Sequence, residues 1–235
     1  MSQQQPFFEM HFHTSLSSAC GHVDVEDSLP KFKELGYDGI VITDHFRDES
    51  FDGLDPSLSW AQKADVWLRG YQAARRVGDE IGLTVLLGME LRFAGPDQVN
   101  EYLLYGLSEQ QVRNCVDLYT WGEERTSAYA RAHGLFMAQS HPFRPDMTRY
   151  NPALLDGMEV HNSNPRWDSR NDLAEAYAAE VGLRPLAGSD FHEWVDLVGS
   201  GLRFHRPIPD STALVAALKD RAYDLVRSSA LHADA

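Results

Sequence analysis

The residues best suited to chemistry lie in two short motifs near the two ends of the chain. The motif His11-Phe12-His13 ends the first apolar run, and Asp190-Phe191-His192 follows another apolar run near the other end. In an extended strand, residues i and i+2 point to the same face, so each motif presents two potential metal ligands side by side. The two pairs can share an ion only if the fold brings the first and last strands together.

A segment that recurs four times places further ligand-type residues at predicted strand ends. The copies read ELGYDGIVITDH, EIGLTVLLGME, AHGLFMAQSH and EVGLRPLAGSDFH. Each has a glycine of the kind that ends a helix, followed by an apolar run long enough for a buried strand. The ligand-type residues at their ends are Asp44 and His45, Glu90, His141, and Asp190 with His192. An isolated Asp or Glu there is commonly a helix cap, but so many strand ends with His, Asp or Glu indicate a shared site.

These patterns predict an α/β protein with seven strands and intervening helices. The predicted strands are Phe7–His11, Ile40–Thr43, Val85–Met89, Tyr102–Tyr105, Leu135–Ala138, Met158–Val160 and Pro185–Ala187. The predicted helices are Val25–Leu35, Trp60–Ile81, Ser127–His133, Ser169–Val181 with a capping box, and Ser211–Lys219. We favour a closed parallel barrel, whose active site lies at the C-terminal ends of its strands. A doubly wound open sheet has the same alternation but does not readily bring the first and last strands together.

Composition narrows the class of protein. A chain of 235 residues with 43% hydrophobic residues can bury a full core as one domain over 1–235, with short flexible ends expected at 1–6 and 228–235. The net charge of −14 and the lack of a basic run disfavour a long nucleic acid as partner. Two cysteines provide no disulfide framework. No signal peptide or membrane span is evident, so we expect a cytoplasmic protein without a membrane partner, and a homo-oligomer is compatible with the sequence.

The mixture of imidazole and carboxylate candidates predicts the type of metal. Such ligands suit zinc, iron or manganese and do not suit magnesium alone. The candidates also outnumber the four ligands of a tetrahedral structural zinc. We therefore expect at least two divalent ions, with Glu90 available to bridge them.

The ordered motifs carry a family resemblance. The segments EMHFHTSLS, ITDH, GMEL, SHPFR, MEVHN and GSDFH resemble the PHP family, the polymerase and histidinol phosphatase metallohydrolases. The resemblance extends from about residue 7 to residue 201 and implies a distorted seven-stranded (β/α) TIM-like barrel in a single domain. It also implies two or three divalent metal ions (Zn, Mn or Fe) and the hydrolysis of a phosphoester.

The resemblance assigns ligands position by position. It implies that His11, His13, Glu90 and Asp190 bind one ion, that His45 and His192 bind a second, and that Glu90 and His141 contribute to a third.

Two positions depart from the family pattern. Ala19 stands where many three-metal members have a histidine or an acid, and Cys20 or His22 is a candidate substitute. The alternative for these two residues is a small buried cysteine and a surface histidine. Glu101 stands where some members have a histidine, and it either binds an ion or only flanks its strand.

Four further residues are candidates for catalysis. Asp44 is predicted to orient an imidazole rather than to bind an ion. Arg47 and Arg144 follow strand ends and are either bidentate phosphate ligands or solvated loop charges. His161 is a candidate general acid, with a structural role as the alternative.

The predicted function is hydrolysis of a small phosphomonoester, similar to histidinol phosphate or a nucleotide, by metal-activated water. A nuclease or phosphodiesterase that acts on short oligonucleotide ends is the enzymatic alternative. An amidohydrolase also begins with His-x-His on a barrel strand, but this chain has no lysine at a strand end. A non-catalytic metal-binding PHP scaffold is the remaining hypothesis, and it predicts an eroded ligand set.

Overall fold

Seven strands form a nearly closed circuit, and three further strands are added to it. The computed structural model describes residues 5–227. The strands are β1 (Phe7–Phe12), β2 (Gly39–Ile42), β3 (His45–Phe46), β4 (Thr84–Arg92), β5 (Glu101–Tyr105), β6 (Phe136–Gln139), β7 (Gly157–Asn162), β8 (Arg184–Gly188), β9 (Gly201–Phe204) and β10 (Tyr223–Val226). The helices are α1 (Val25–Glu34), α2 (Trp60–Trp67), α3 (Arg69–Ile81), α4 (Glu109–Asn114), α5 (Gly122–Ala132), α6 (Asn171–Val181) and α7 (Ser211–Asp220).

The sheet runs in the order β10-β9-β1-β2-β4-β5-β6-β7-β8, and β3 pairs with β4. The circuit closes where the segment after β8 meets β1. Phe12 and Phe191 form a parallel bridge, and the amide of His13 donates to the carbonyl of Phe191 at 3.0 Å. This confirms the predicted distorted barrel. All seven predicted strands are present, whereas β3, β9 and β10 were not predicted.

One strand departs from the predicted parallel arrangement. β5 pairs antiparallel with both β4 and β6, because residues 93–100 connect β4 to β5 without a helix. The first residue of β5, Glu101, therefore lies beside Arg92 at the C-terminal end of β4. The reversal brings a residue from the start of a strand to the end of the barrel where the other strands finish.

The helices differ from the prediction in their boundaries. The predicted helix Trp60–Ile81 is divided at Leu68 into α2 and α3. The capping box predicted at Ser169 is wrong, because α6 begins after Arg170, which has a left-handed backbone and provides no side-chain cap. The hydroxyl of Ser169 instead accepts a hydrogen bond from Nε of Arg144 at 3.1 Å.

Alternate residues of the strands pack in different apolar clusters. On β5, Leu103 and Tyr105 pack in one cluster with Phe136. Tyr102 and Leu104 belong to a second cluster that includes residues from helices. This two-residue period is expected for strands that are covered on both faces. The packing on both faces restrains the strands and the residues at their ends.

The ends of the chain were expected to be flexible at 1–6 and 228–235. Residues 1–4 and 228–235 lie outside the described residues. The carbonyl of Pro6 accepts a hydrogen bond from the amide of Phe204 at 2.8 Å. Among the described helices, none combines the length and the apolar character that a membrane crossing requires.

Candidate metal centre

The eight predicted metal ligands form one buried cluster, and six of them line a cleft at the end of the barrel where most strands finish. They are His11, His13, His45, Glu90, Glu101, His141, Asp190 and His192, and none is more than 9% exposed. The cleft has a volume of about 430 Å³. The fold therefore brings together ligands that are as much as 181 positions apart in the sequence (11 to 192).

The tightest group contains the two ends of the chain. Nε2 of His11 lies 3.1 Å from Oε1 of Glu90 and 3.4 Å from Oδ1 of Asp190. Nε2 of His13 lies 3.3 Å from the same oxygen of Asp190. One ligand atom from each of these four residues lies within 4.8 Å of the others. These are the four residues expected to share one ion.

Two further groups overlap the first. His13, His45 and His192 form one, and His45, Glu90 and Glu101 form the other. His13 thus joins the pair expected to bind the second ion.

Around the expected third ion, Nε2 of His141 lies 3.1 Å from Oε1 of Glu90 and 3.6 Å from Oε2 of Glu101. Glu101 therefore faces the cluster, which favours the ligand role over the flanking role left open by the sequence.

The donor set of this cluster fits divalent ions. Nε2 of His11, Nε2 of His13, Nδ1 of His45 and both carboxylate oxygens of Glu90 are buried and have no hydrogen-bond partner among the described residues. Buried polar atoms normally have partners. Unpaired imidazole nitrogens that converge on carboxylate oxygens are the ligand set of zinc, iron or manganese.

A buried glutamate fixes the orientation of His11. Nδ1 of His11 donates to Oε1 of Glu159 at 2.9 Å. The other oxygen of Glu159 accepts from the amide of His141 at 3.0 Å and from the side chain of Asn162 at 2.9 Å. With its Nδ1 proton held by Glu159, His11 directs the lone pair of Nε2 towards the cluster. The sequence motifs did not single out Glu159, although it lies within the MEVHN segment.

His161 is the predicted site residue that the structure does not bring to the cluster. The pairing of β7 with β8 shifts register between Glu159 and His161, so the two side chains do not share a face. His161 is half-buried, with Nδ1 3.4 Å from Nδ2 of Asn171, and it does not line the cleft. Its placement supports the structural alternative and not a general acid.

Asp44 acts on an imidazole through a serine. Oδ1 of Asp44 accepts from the hydroxyl of Ser18 at 2.7 Å and from the amide of Thr14 at 2.7 Å. The Ser18 oxygen lies 3.2 Å from Nδ1 of His13. Because the Ser18 proton goes to Asp44, Nδ1 of His13 donates to Ser18, and Nε2 is left free for the cluster. This arrangement matches the predicted orienting role for Asp44.

The two candidate arginines differ in their contacts. Arg144 donates to Oδ2 of Asp190 at 2.6 Å and to Oδ1 of Asn162 at 2.9 Å, so it holds the carboxylate of Asp190. Nη1 of Arg47 lies 3.8 Å from Oε1 of Glu101, and Nε of Arg47 lies 3.6 Å from Oε2 of Glu49. Both arginines line the cleft, and Arg47 is the less firmly held.

Burial and charge set opposite proton affinities on neighbouring histidines. Burial lowers the pKa of His11, but the carboxylates around it, above all Glu90, outweigh burial and raise the pKa well above its usual value. For His13, burial and the nearby imidazoles of His192 and His45 lower the pKa well below its usual value. Before an ion binds, the doubly protonated imidazolium form is therefore favoured at His11 and disfavoured at His13.

Burial also acts on Cys20, whose pKa it raises. The hydrogen bonds of the thiol with His192 and His45 outweigh that effect and lower the pKa to about 6.

A second glutamate missed by the sequence motifs ties the barrel closure together. Oε1 of Glu9 accepts from the amides of His11 at 2.8 Å and Ser189 at 2.9 Å, and so joins β1 to the segment after β8. Burial raises the pKa of Glu9 to about 7.

Two of the predicted ligands, His141 and Asp190, have positive φ angles of 26° and 55°. This backbone conformation is strained, and surrounding contacts must maintain it.

Replacing Glu159 with glutamine is expected to weaken metal binding by about 10–100-fold, the usual effect of losing a charged partner of a ligating histidine. Calorimetric titration of the chelated protein with Zn²⁺ measures the change. Glu175→Gln is the matched control, because Glu175 is exposed and pairs with Arg227 on the surface. Equal zinc affinities for the two variants would contradict the role of Glu159.

Metal binding is expected to release protons, because an ion that binds Nε2 of His11 must displace the proton on that nitrogen. The apparent affinity should therefore fall as the pH falls, by about tenfold per pH unit for each proton released. Calorimetry in two buffers with different ionisation enthalpies counts these protons. The affinity is compared between about pH 6 and about pH 8, a range that includes the usual pKa of histidine. A zinc affinity that does not change over this range would contradict the assignment.

Comparison with known families gives two matches along the chain. The model of the PHP domain matches residues 9–189, and the model of the PHP-associated region matches residues 168–223. A search of curated proteins finds no match.

Solved structures share the fold at low sequence identity. A two-domain protein from Bacteroides vulgatus, described as containing a predicted PHP-like metal-dependent phosphoesterase, is 17% identical with a TM-score of 0.69. The match covers 96% of this chain and 65% of that one, so the chain spans just under two thirds of its length.

Two more solved structures match most of their own length. PsfC from Pseudomonas syringae is 16% identical with a TM-score of 0.68, over 97% of this chain and 93% of that one. An amidohydrolase from Chromobacterium violaceum, solved with bound sulfate, is 15% identical with a TM-score of 0.56, over 94% and 97%.

Proposed function

Since this chain belongs to the PHP domain family, we propose that it is a metal-dependent phosphoesterase that hydrolyses a small phosphomonoester similar to histidinol phosphate or a nucleotide. The observation that carries the proposal is the buried cluster of five imidazoles and three carboxylates at the end of the barrel. Two or three divalent ions, Zn, Mn or Fe, would be held by the three groups that overlap at His13, His45 and Glu90. When bound, such ions supply an activated water and neutralise the charge of the phosphoryl group.

The side chains around the cluster support a phosphorylated substrate. The cleft is lined by four arginines, Arg47, Arg92, Arg144 and Arg166, although the chain as a whole carries a net charge of −14. A local concentration of arginine in an acidic protein favours an anion at this place. The volume of about 430 Å³ lies within the range of small-molecule sites.

Three residues that line the cleft would have different roles in the proposed site. Arg144 is held by Asp190 and Asn162, so it positions the Asp190 carboxylate. Arg47 is free to turn towards a phosphate. Trp167 lies on the cleft wall and is 56% exposed, and we assign it to packing against an apolar or ring-bearing leaving group.

The proposal predicts a specific effect of Arg47. Arg47→Ala should raise KM for a phosphomonoester by about 10–100-fold, because a charged hydrogen bond to phosphate contributes roughly 1.5–3 kcal/mol. The metal content should not change. Steady-state kinetics with metal analysis measures both, and Arg75→Ala, on the outer surface of α3, is the control. A KM equal to that of the control would show that Arg47 does not contact the substrate.

The alternatives make different predictions. A phosphodiesterase acting on short oligonucleotide ends would use the same cleft, and the acidic surface limits it to short segments. An amidohydrolase is favoured by the fold of the Chromobacterium neighbour alone. A non-catalytic scaffold predicts lost ligands, whereas the residues at all eight predicted ligand positions lie in one cluster.

An activity panel discriminates these functions. Purified protein loaded with manganese, iron or zinc is assayed on phosphomonoesters, on phosphodiesters including short oligonucleotides, and on amides. We expect phosphate release from one or more monoesters and little turnover of the other classes. Hydrolysis of diesters or amides in preference to monoesters would overturn the proposed substrate class.

A further inference from the structure

Asp196 is a buried carboxylate close to the metal cluster that the sequence motifs did not single out. It lies in the segment after β8, four positions beyond His192, and it is fully buried. Its Oδ2 accepts from the amide of His192 at 3.0 Å and from the amide of Glu193 at 3.1 Å. A carboxylate that only capped the helical turn after Glu193 would need the second of these bonds alone. The first bond fixes the backbone of a predicted metal ligand.

Arg166 holds the same carboxylate from a neighbouring loop. Its Nε donates to Oδ1 of Asp196 at 2.9 Å, and its Nη2 donates to Oδ2 at 2.7 Å. This is the bidentate geometry in which a guanidinium and a carboxylate bind strongly and with a fixed orientation. Arg166 follows β7 and also lines the cleft. Asp196 therefore accepts four hydrogen bonds, which satisfy a charge that burial would otherwise make costly.

The backbone at positions 190 and 191 has anchors of its own. The amide of Phe191 donates to the carbonyl of His11 at 3.1 Å. The carbonyl of Asp190 accepts from Nδ2 of Asn164 at 2.9 Å, and its carboxylate holds Arg144 at 2.6 Å. These contacts keep Asp190 in place independently of the carboxylate at position 196.

The side chain of His192 depends on the position of its own backbone. Its Nδ1 lies 2.8 Å from the carbonyl oxygen of Asp190, so Nδ1 carries the proton and Nε2 is left for an ion. The carbonyl of His192 accepts from the amide of His22 at 2.8 Å, and the side chain of His22 is exposed. With its carbonyl held on one side and its amide held by Asp196 on the other, His192 stacks its ring 4.2 Å from that of His13, measured between centroids.

We propose that Asp196, held by Arg166, is a positioning residue that fixes His192 as a ligand of the second ion. The proposal rests on the metal-binding part of the proposed function, and it names a residue that acts on one ion and not on the other. Among the ligand groups of the described residues, His192 belongs only to the group of three imidazoles, and His11 belongs only to the group with two carboxylates. Loss of Asp196 should therefore weaken the second ion and leave the first nearly unchanged.

Zinc titration of Asp196→Asn tests the proposal. An amide cannot satisfy all four donors, because its NH2 group faces either the two backbone amides or Nε of Arg166. Calorimetry of the chelator-treated full chain should show one equivalent of Zn²⁺ bound about 10–100-fold more weakly and another nearly unchanged. Asp156→Asn is the matched control, because Asp156 also accepts from a backbone amide, that of Met137 at 3.0 Å, but at the opposite end of the strands.

The histidines report which ion is affected. In the wild-type protein, Zn²⁺ should shift the imidazole NMR signals of both His11 and His192 in histidine-labelled protein. In Asp196→Asn, Zn²⁺ should still shift His11, whereas His192 should respond only at a higher zinc concentration. A general loss of stability would instead weaken both responses together.

Arg166→Met provides a second variant, because it removes both guanidinium bonds and leaves the carboxylate of Asp196 in place. The Arg166 side chain is 34% exposed, so this variant tests the proposal even if Asp196→Asn does not fold. It should weaken the same zinc equivalent by a smaller factor, and circular dichroism confirms that each variant is folded. Equal weakening of both ions in a folded variant, or wild-type affinity for the second ion, would overturn the positioning role.

Phosphate release measured on the same samples separates this proposal from the proposed function. Hydrolysis by the wild-type protein, together with wild-type zinc binding by Asp196→Asn, contradicts the positioning role and leaves the phosphoesterase in place. Selective loss of the second ion, when the wild-type protein hydrolyses no phosphoester, supports the positioning role and contradicts the proposed function.

Discussion

Glu90→Gln is expected to abolish activity and to weaken metal binding by more than about 100-fold, beyond the usual effect of removing an outer partner. The two oxygens of Glu90 lie within 3.4 Å of nitrogens from four imidazoles, His11, His13, His45 and His141. This carboxylate is the one side chain shared by the groups expected to hold the first and third ions. Its replacement by a neutral amide of the same shape would remove a charged ligand that both ions would use.

The pKa of His11 provides a second measurement for this variant. Glu90 is the main carboxylate that raises the pKa of His11, so the pKa should fall in Glu90→Gln, and NMR titration of the imidazole can follow it. Glu49→Gln is the control, because Glu49 is half exposed and pairs with Arg92 at the rim. A Glu90→Gln protein with wild-type metal content would show that the cluster does not bind ions as proposed.

Asp190→Ala should lose activity by at least about 100-fold while the protein remains folded, a loss comparable to removing one charge-stabilising group from an active site. Oδ1 of Asp190 lies 3.4 Å from Nε2 of His11 and 3.3 Å from Nε2 of His13. Its other oxygen holds Arg144 at 2.6 Å. The substitution therefore removes a predicted ligand and leaves the guanidinium of Arg144 without its carboxylate partner.

Asp190→Asn separates these two effects. The amide keeps an oxygen for Arg144 and lacks the charge needed by the ion, so it should lose activity as alanine does but unfold at a temperature closer to that of the wild type. Asp168→Ala, at an exposed loop position, is the control for effects of mutagenesis and purification. Turnover by Asp190→Ala at the control rate would show that Asp190 has been assigned wrongly.

The sequence could predict the barrel because its strands carry a strong repeated signal. Glycine, apolar run and ligand recur in order, and the need for His11 and Asp190 to meet requires closure of the sheet. The reversal of β5 could not be predicted in this way. An apolar strand has the same pattern in either direction, and only the short connection 93–100 reveals that no crossover helix fits there.

The ligands were easier to identify from sequence than the residues that orient them. A ligand at a strand end stands out by type and position, whereas Glu159 acts through a hydrogen bond with a residue 148 positions away. For His161 the sequence left two roles open, because it does not reveal the register shift between Glu159 and His161 in the pairing of β7 with β8. Ser18 and Cys20 depend on a turn whose geometry is set by contacts between loops, and local sequence does not encode such contacts.

The most direct test of the central claim is phosphate release from a small phosphomonoester as metal is returned to chelator-treated protein. We predict background release without added ion, a rise in proportion to bound Zn²⁺, Mn²⁺ or Fe²⁺, and saturation at two or three ions per chain. Release that does not depend on the ion, or stoichiometric binding of ions with no release from any monoester, would contradict the account.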